Sequence, residues 1–154
     1  SIPDAIGFRM PKENEWEFVA REGIYCDESG KVIAFPWDKI DDPRKAIDYK
    51  NYLLSKKGHT DPVFSYPANS FGISGMMGNV REWIDDLSDQ EFNPKREIKG
   101  STGTWGEESF RYDASIAIYP ENTNADVGFR VARSLRQSEI SYIKKFDNEY
   151  GKSK

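Results

Sequence analysis

The sequence predicts an α+β domain with short strands, few helices and long ordered loops. Apolar residues at helical spacing occur near the beginning of the chain, and residues 127–132 alternate as a strand with one buried face does. Aromatic residues make up 14% of the 154 residues, so a core rich in rings can form although only 37% of the residues are apolar. This composition argues against disorder over most of the chain.

The first predicted helix covers residues 12 to 22. Trp16, Val19 and Ala20 fall at i, i+3 and i+4 and form one apolar stripe. Gly23 follows directly, and glycine suits the position after the last helical turn. The stripe therefore predicts a helix that packs one face on a core.

A second helix is predicted within DDPRKAIDYKNYL, residues 41–53. Asp42 is placed to cap its first turn, and Pro43 suits the first helical position because it needs no amide donor there. Residues 65–79, SYPANSFGISGMMGN, contain a proline and three glycines and predict a long irregular path.

The second half of the chain predicts three strands, at residues 97–99, 112–119 and 127–132. In the last of these, Val127, Phe129 and Val131 alternate with Gly128 and polar or small residues. We expect these three apolar side chains to form its buried face.

The tail predicts an amphipathic helix, which divides the chain into a domain at 1–136 and a C-terminal helix and tail at 137–154. Ile140, Ile143 and Phe146 share one helical face, and Ser138 is a candidate cap. Packing within the chain and packing on a partner both remain open for this face.

Charge and hydropathy exclude several classes of protein. The net charge of −4 argues against nucleic acid as a partner. No apolar run approaches the roughly 20 residues of a membrane span, and the opening SIPDAIGFRM lacks the features of a signal peptide. We expect a soluble domain, and its compartment stays open.

Cysteine and histidine each occur once, as Cys26 and His59. One cysteine excludes an internal disulfide and a metal cage built from thiolates alone. One histidine excludes a metal site built mainly on imidazole. We interpret Cys26 as an ordinary side chain.

The stretch GMMGNVREW, residues 75–83, places Glu82 just after a glycine-rich bend. Such a bend can turn backbone carbonyls inward, and carbonyls with a nearby carboxylate suit a hard cation such as Ca²⁺. The alternative is that Glu82 forms hydrogen bonds with loop amides and binds no metal.

Four stretches follow one another in a fixed order: RMPKENEWEFVAREG, FPW, PANSFGISGMMGNVREW and GFRVAR. Together they resemble the formylglycine-generating enzyme, or sulfatase-modifying factor, family, over about residues 8 to 134. The resemblance implies a loop-rich, C-type-lectin-like α+β fold that often binds calcium. That family carries a further strand and helix before the first motif. We expect these to be missing here, or to be supplied by an upstream segment or a partner chain.

The resemblance also implies calcium ligands. In the family, a carboxylate and nearby main-chain carbonyls hold one ion, and a second site begins elsewhere. Gly75 stands where the family often has Asn or Asp, so a ligand is missing there, and we expect water in its place or weaker binding. The matching positions are Gly78, Val80 and Glu82 for the first site, and Asn51 and Tyr52 for the second.

The family's oxidase chemistry uses copper held by two cysteine thiolates. The register from Lys99 to Tyr112 places Thr104 and Ser109 at those two positions. A hydroxyl is a poor ligand for soft Cu(I), so no copper is expected. A related branch uses three histidines around iron, and only His59 is present in this chain.

These observations favour a non-catalytic binding or scaffold domain that presents a loop surface to a protein or a small-molecule ligand. The alternatives are a metal-dependent oxidoreductase of the formylglycine-generating type with altered ligands, and a spacer domain. A core position for the Trp105 ring and a structural ion pair for Arg111 also remain open, and we interpret Arg130 as a structural residue. The candidate contact residues are Trp105, Glu107, Ser109, Arg111 and Tyr112.

Overall fold

The computed structural model describes residues 7–56, 60–87, 95–122 and 124–150. Its chain divides into two compact units, Met10–Arg130 on the one hand and Ser1–Arg9 with Val131–Lys154 on the other. In chain order the elements are β1 (Phe8–Arg9), α1 (Glu13–Ala20), α2 (Pro43–Ser55), β2 (Arg81–Leu87), β3 (Arg96–Lys99), β4 (Ser115–Ile118), β5 (Val127–Phe129), β6 (Ala132–Arg133) and α3 (Gln137–Tyr150), with 3-10 turns at Pro36–Lys39 and Glu107–Phe110. This confirms the predicted α+β class.

Helix α1 forms where the apolar stripe predicts it. Trp16 and Ala20 are buried, and Glu15 Oε2 accepts the Lys12 amide at 2.9 Å before the first turn. Gly23 follows the helix with φ of +74°, and its amide donates to the Phe18 carbonyl at 2.9 Å. Local spacing and a glycine stop are therefore enough to define this helix.

Helix α2 also begins at the predicted place. The Asp42 carboxylate accepts the Arg44 amide at 2.9 Å, and Pro43 occupies the first turn. The helix runs to Ser55 and fully buries Leu53. That leucine joins a core of mostly aromatic and sulfur-containing side chains: Trp16, Ala20, Ile33, Trp37, Leu53, Tyr66, Met76, Met77, Ile84, Phe110 and Tyr112.

The larger unit contains a four-stranded sheet in the order β4-β3-β2-β5. Strand β2 pairs antiparallel with β3, opposing Glu82 to Lys99, and parallel with β5, opposing Glu82 to Gly128. It was not predicted from sequence because Arg81 and Glu82 are charged, yet they are only 4% and 6% exposed. A strand with buried charges lacks the apolar alternation that identifies most strands.

The single strand predicted across residues 127–132 is wrong. Two short strands, β5 and β6, form there and belong to different sheets, and Phe129 and Val131 are 71% and 58% exposed. Gly128 explains why Phe129 is exposed on β5: the glycine side of the strand packs closely on Val80, and a Cβ at position 128 would lie 3.1 Å from Val80 Cγ2. The tightly packed face of β5 is thus the glycine face, and Val127 and Phe129 point to the opposite side.

Strand β4 is shorter than the predicted 112–119 segment. Tyr112 precedes it in a turn, is 1% exposed, and its amide donates to the Ala34 carbonyl at 2.9 Å. Tyr112 is therefore a core residue of the loop that leads into the sheet.

In the smaller unit, β1 and β6 pair antiparallel with Phe8 opposite Arg133. Helix α3 begins at Gln137, so the prediction that Ser138 caps it is wrong. Glu139 Oε2 accepts the Arg136 amide at 2.7 Å instead, because a carboxylate in the first turn reaches back to this free donor. The side chains of Ile143 and Phe146 lie outside the described residues, as do residues 151–154. None of the described helices is long and apolar enough to cross a bilayer.

Candidate functional site

The Glu82 carboxylate is the centre of a buried cluster that joins α1, β2 and the residue after β5. Its Oε2 accepts the Trp16 indole N–H at 2.8 Å and Arg130 Nε at 3.0 Å, and its Oε1 accepts Arg130 Nη2 at 2.8 Å. Arg130 Nη2 also donates to the Ser74 carbonyl at 3.0 Å. Both carboxylate oxygens are thus satisfied by directed donors, which is what a buried charge requires.

A calcium ion at the predicted site would compete with Arg130 for this carboxylate. Its oxygens face a guanidinium, whose positive charge repels a cation at such distances. Asn51 and Tyr52 belong to a different element, α2, where the Tyr52 carbonyl accepts Ser55 Oγ. Among the described residues, no group of three or more acidic, histidine or cysteine side chains is placed to hold a metal ion. The geometry fits a structural ion pair, and the calcium site stays a prediction.

The glycine-rich bend before β2 packs closely on a tyrosine. Gly78 has φ of +102°, and a Cβ there would lie 3.0 Å from the Tyr66 ring. Asn79 also has positive φ, and its Oδ1 accepts the Asp61 amide at 2.8 Å. The bend therefore needs glycine at position 78 for both its backbone conformation and its contact with Tyr66.

Arg81, next to Glu82 on β2, is buried but is not paired in the same way. It is 4% exposed, and its Nε and Nη2 have no hydrogen-bond partner among the described residues. The Trp105 ring lies over its guanidinium, with 5.0 Å from Cζ to the ring centre. Burial lowers the pKa of Arg81, although the nearby charge of Asp126 opposes that shift.

The two positions matched to the family's cysteine pair lie in a network of hydroxyl groups. Ser109 Oγ donates to the Gly106 carbonyl at 2.6 Å and lies 2.5 Å from Ser101 Oγ. Because Ser109 has one hydroxyl proton, Ser101 must donate in the second contact, and Ser101 in turn accepts the Gly103 amide at 3.0 Å. Thr104 pairs separately with Thr102, with 2.9 Å between their Oγ1 atoms.

The five predicted contact residues do not share one surface. Trp105 is 66% exposed, so the core position for its ring is wrong. Glu107 forms an ion pair with Lys50, and Arg111 binds the Asp113 carboxylate through Nε and Nη2, each at 2.9 Å. Tyr112 is instead buried, and burial raises the pKa of its hydroxyl.

Tyr112 lines a cavity of about 370 Å³ in the larger unit. An ion pair between Lys39 and Glu22 lies on its wall, and the Glu22 carboxylate also accepts the Ser70 amide. Burial, and then the charge and hydrogen bond of nearby Asp61, raise the pKa of Tyr66 to about 12. The other lining side chains are mostly apolar or aromatic and include Tyr49, Ile73, Met76 and Met77.

Arg81 and the Lys39–Glu22 pair are not among the residues singled out from sequence. Glu22 gave no signal in the sequence, and its uncommon positive φ of +58° is seen only in the structure. Lys39 is 17 positions from its partner, so no local pattern indicates the pair. Arg81 lies inside the GMMGNVREW motif, but no sequence pattern reveals that its guanidinium is buried.

Solved structures with the same fold include PvdO from Pseudomonas aeruginosa and Treponema denticola variable protein 1. The first matches with a TM-score of 0.56 and 28% identity, covering 83% of this chain and 53% of that one. The second matches with a TM-score of 0.55 and 25% identity, covering 81% and 47%. Both support the loop-rich α+β fold.

Sequence relatives include the serine/threonine-protein kinase pkn1 of Chlamydia caviae, 34% identical over 85% of this chain and 22% of that protein. The formylglycine-generating enzyme of Mus musculus is 30% identical over 82% of this chain and 39% of its own length. The mouse protein named inactive C-alpha-formylglycine-generating enzyme 2 is 27% identical, over 83% and 44%.

The chain thus spans less than half the length of these curated relatives. The match to a family model is more extensive relative to this chain, since it runs from residue 3 to residue 135. The Glu82–Arg130–Trp16 cluster lies within that range and joins three of the four motifs that carry the resemblance. By this match, the chain belongs to the family of sulfatase-modifying factor enzyme 1-like domains.

Proposed function

We propose that this chain is a non-catalytic binding domain of the sulfatase-modifying-factor family. The observation that carries the proposal is the hydroxyl network at the positions of the copper-binding cysteines. The Ser109 proton is donated to the Gly106 carbonyl, and the Thr104 hydroxyl pairs with Thr102. Neither position offers the soft sulfur donor that Cu(I) requires.

A relative named as inactive supports the same proposal. The inactive C-alpha-formylglycine-generating enzyme 2 of mouse matches over 83% of this chain. The family fold thus also occurs in a protein whose name denies it the oxidase activity. This is consistent with a binding role on the same scaffold.

We infer that the 370 Å³ cavity receives the ligand. Its volume lies within the range of small-molecule sites, and its wall combines apolar and aromatic side chains with one ion pair. The ligand class that fits has an apolar or aromatic body and a polar group that exchanges hydrogen bonds with Lys39 and Glu22. Trp105, Glu107, Ser109 and Arg111 do not line this cavity and remain candidates for a separate, protein-facing loop surface.

Copper binding tests the absence of catalysis. We expect no Cu(I) uptake from a chelator and no oxygen-dependent oxidation of a cysteine peptide by the native chain. The double substitution Thr104→Cys with Ser109→Cys restores two thiols and is the matched control, in which we expect Cu(I) binding. Peptide oxidation by the native chain that is lost on Ser109→Ala would establish the alternative, a metal-dependent oxidoreductase with altered ligands.

Ligand binding at the cavity is tested by screening small aromatic acids and amines for a rise in melting temperature. A hit should lose most of its effect in Lys39→Met, which removes the polar anchor. Lys50→Met, whose lysine pairs with Glu107 outside the cavity, is the matched control and should keep the effect. Equal shifts in both variants would place the ligand elsewhere.

Calcium binding at Glu82 remains a separate proposal. A calcium ion would have to replace Arg130 on the carboxylate, since the guanidinium contacts both oxygens. A melting temperature that rises with millimolar calcium in the native chain, and stays constant in Glu82→Gln, would support it. No shift in the native chain would count against it.

A further inference from the structure

Two tyrosines on the wall of the 370 Å³ cavity have hydroxyl groups without a hydrogen-bond partner among the described residues. Tyr49 is partly buried, and Tyr112 is only 1% exposed. Among the described residues, only Arg81 has side-chain atoms that lack both a partner and accessible surface. The unpartnered Tyr112 oxygen therefore keeps accessible surface, in a residue whose small exposed part borders the cavity. A buried hydroxyl of this kind normally has a partner, and a ligand in the cavity can supply it.

Both hydroxyl groups are available as donors. Burial, and to a smaller extent nearby negative charge that includes Glu22, raises the pKa of Tyr49 and of Tyr112. Both therefore stay protonated at neutral pH. Tyr49 is also close enough to act electrostatically on Tyr112, so the two hydroxyls belong to one polar region of the wall.

Lys39 adds a charged donor to the same region. Its Nζ binds Glu22 and lies 5.4 Å from the centre of the Tyr112 ring. An ammonium group has three N–H donors, and Glu22 is the one hydrogen-bond acceptor that the described residues offer to Lys39. Each Glu22 oxygen already accepts one hydrogen bond, from Lys39 or from the Ser70 amide. The free capacity of the ion pair is therefore mainly that of a donor.

Lys99 shows how another lysine of this unit is neutralised. It is fully buried, and its Nζ contacts two carboxylates, Glu13 at 2.9 Å and Glu17 at 2.7 Å. Lys39 has the first carboxylate of such an arrangement, Glu22, and lacks the second. A ligand carboxylate would complete it through a charge-assisted hydrogen bond.

The other acidic groups near the cavity are already engaged. Asp61 is paired with Lys56 at 3.0 Å, and Asp38 accepts two main-chain amides. Neither residue lines the cavity. The Arg21 guanidinium, 4.9 Å from the centre of the Tyr112 ring, adds positive charge on this side. The charges around the cavity therefore do not exclude an anion.

Given the binding role proposed above, on which this step rests, we propose that the cavity binds a small monocarboxylic acid with an aromatic or branched aliphatic body. Lys39 and the hydroxyls of Tyr49 and Tyr112 donate to the carboxylate oxygens. The apolar part of the wall, which includes Met76 and Met77, packs against the body.

Calorimetric titration with matched compounds tests the choice of ligand. Phenyl, naphthyl and isobutyl bodies are each tested as the carboxylate, the primary amide and the primary amine, at neutral pH and constant ionic strength. We expect the carboxylate of at least one body to bind about tenfold more tightly than its amide. The amine should bind most weakly, because Lys39 repels a second ammonium group.

Three variants test the donors separately. Tyr112→Phe and Tyr49→Phe keep the rings, and each should weaken carboxylate binding by about tenfold or more. Tyr66→Phe is the matched control: Tyr66 also lines the cavity, but its hydroxyl is already bonded to Asp61 at 3.3 Å, so carboxylate affinity should be kept. In crystals with bromophenylacetate, the carboxylate should lie within hydrogen-bond distance of Lys39 Nζ and Tyr112 Oη.

The outcomes separate this proposal from the binding role on which it rests. An amide or amine that binds as tightly as the matching carboxylate would overturn the choice of ligand and leave the binding role in place. Equal losses in Tyr112→Phe and Tyr66→Phe, or a carboxylate bound away from Lys39, would do the same. If no compound of the panel binds, both the cavity as ligand site and its carboxylate ligand are wrong.

Discussion

Arg81 and Glu82 are adjacent on strand β2, and both are buried, yet the protein neutralises their charges in different ways. Glu82 accepts three hydrogen bonds from Trp16 and Arg130. Arg81 points to the other side of the sheet and has two N–H groups without a partner among the described residues. The contrast separates a buried charge with a full set of hydrogen bonds from a buried charge that the described residues leave partly unpaired.

The largest effect is expected when the satisfied charge is removed. Glu82→Ala leaves the Trp16 N–H and the Arg130 guanidinium without their acceptor. Breaking a buried pair in this way costs about 3 to 5 kcal/mol, and the 27% exposure of the Arg130 side chain places this site near the lower value. Urea unfolding measures the loss.

Glu107→Ala is the control for that experiment. The Glu107–Lys50 pair is partly exposed, with 41% and 31% of the side chains accessible, so its removal should lower the free energy of unfolding by less than about 1 kcal/mol. Similar losses in the two variants would mean that the Glu82 cluster is not a structural ion pair.

A smaller effect is expected for Trp16→Phe, which keeps an aromatic ring but removes the indole N–H. A hydrogen bond to a charged group contributes roughly 1.5 to 3 kcal/mol, and the smaller ring adds a packing loss, so we expect about 2 to 3 kcal/mol. A double-mutant cycle with Glu82→Ala separates the two contributions, since only the hydrogen bond depends on Glu82. If the losses in free energy of unfolding of the two single variants added up exactly to that of the double variant, the indole–carboxylate hydrogen bond would contribute nothing to stability.

Arg81→Met should not lower the free energy of unfolding, in contrast to Glu82→Ala. It replaces an unpaired buried cation with an apolar side chain of similar length, which is often neutral or stabilising. We expect a free energy of unfolding between unchanged and about 1 kcal/mol higher. A loss above 2 kcal/mol in the same urea experiment would mean that Arg81 stabilises the fold directly.

The two residues also show how far the sequence predicts this protein. Helices α1 and α2 were predictable because spacing, an aspartate cap and a helix-ending glycine are local signals. Strand β2 was not, because its buried residues carry charges that are neutralised by distant partners. Arg130 lies 48 positions from Glu82, and no local pattern encodes that contact.

Only part of the candidate site was predicted, because its contacts also join residues that are distant in sequence. Glu82 was singled out by its motif, but the donors that surround it come from other elements. The resemblance to the family matched Thr104 and Ser109 to the cysteine positions. The hydrogen bonds of their hydroxyl groups are seen only in the structure, because they depend on three-dimensional packing. Exposure of Trp105 and burial of Tyr112 depend on packing between loops, which local periodicity does not describe.

The smallest expected effect concerns Glu22, which forms an ion pair with Lys39. This pair is less buried than Glu82 and less exposed than the Glu107–Lys50 pair. Burial would raise its pKa, but the hydrogen bonds from Lys39 and the Ser70 amide prevail and lower the pKa below the usual 4.5. The folded state therefore binds protons more weakly than the unfolded state, and this stabilisation is present above pH 4.5 and is lost as the pH falls through the folded pKa. We expect Glu22→Gln to melt at a lower temperature than the native chain at pH 6, with the difference shrinking below pH 4.5.

Lys39→Met should weaken the same pH dependence, because it removes the main donor. Parallel curves of melting temperature against pH for the native chain and Glu22→Gln would contradict the assignment, since the other carboxylates with lowered pKa values, such as Asp113, are unchanged in both proteins.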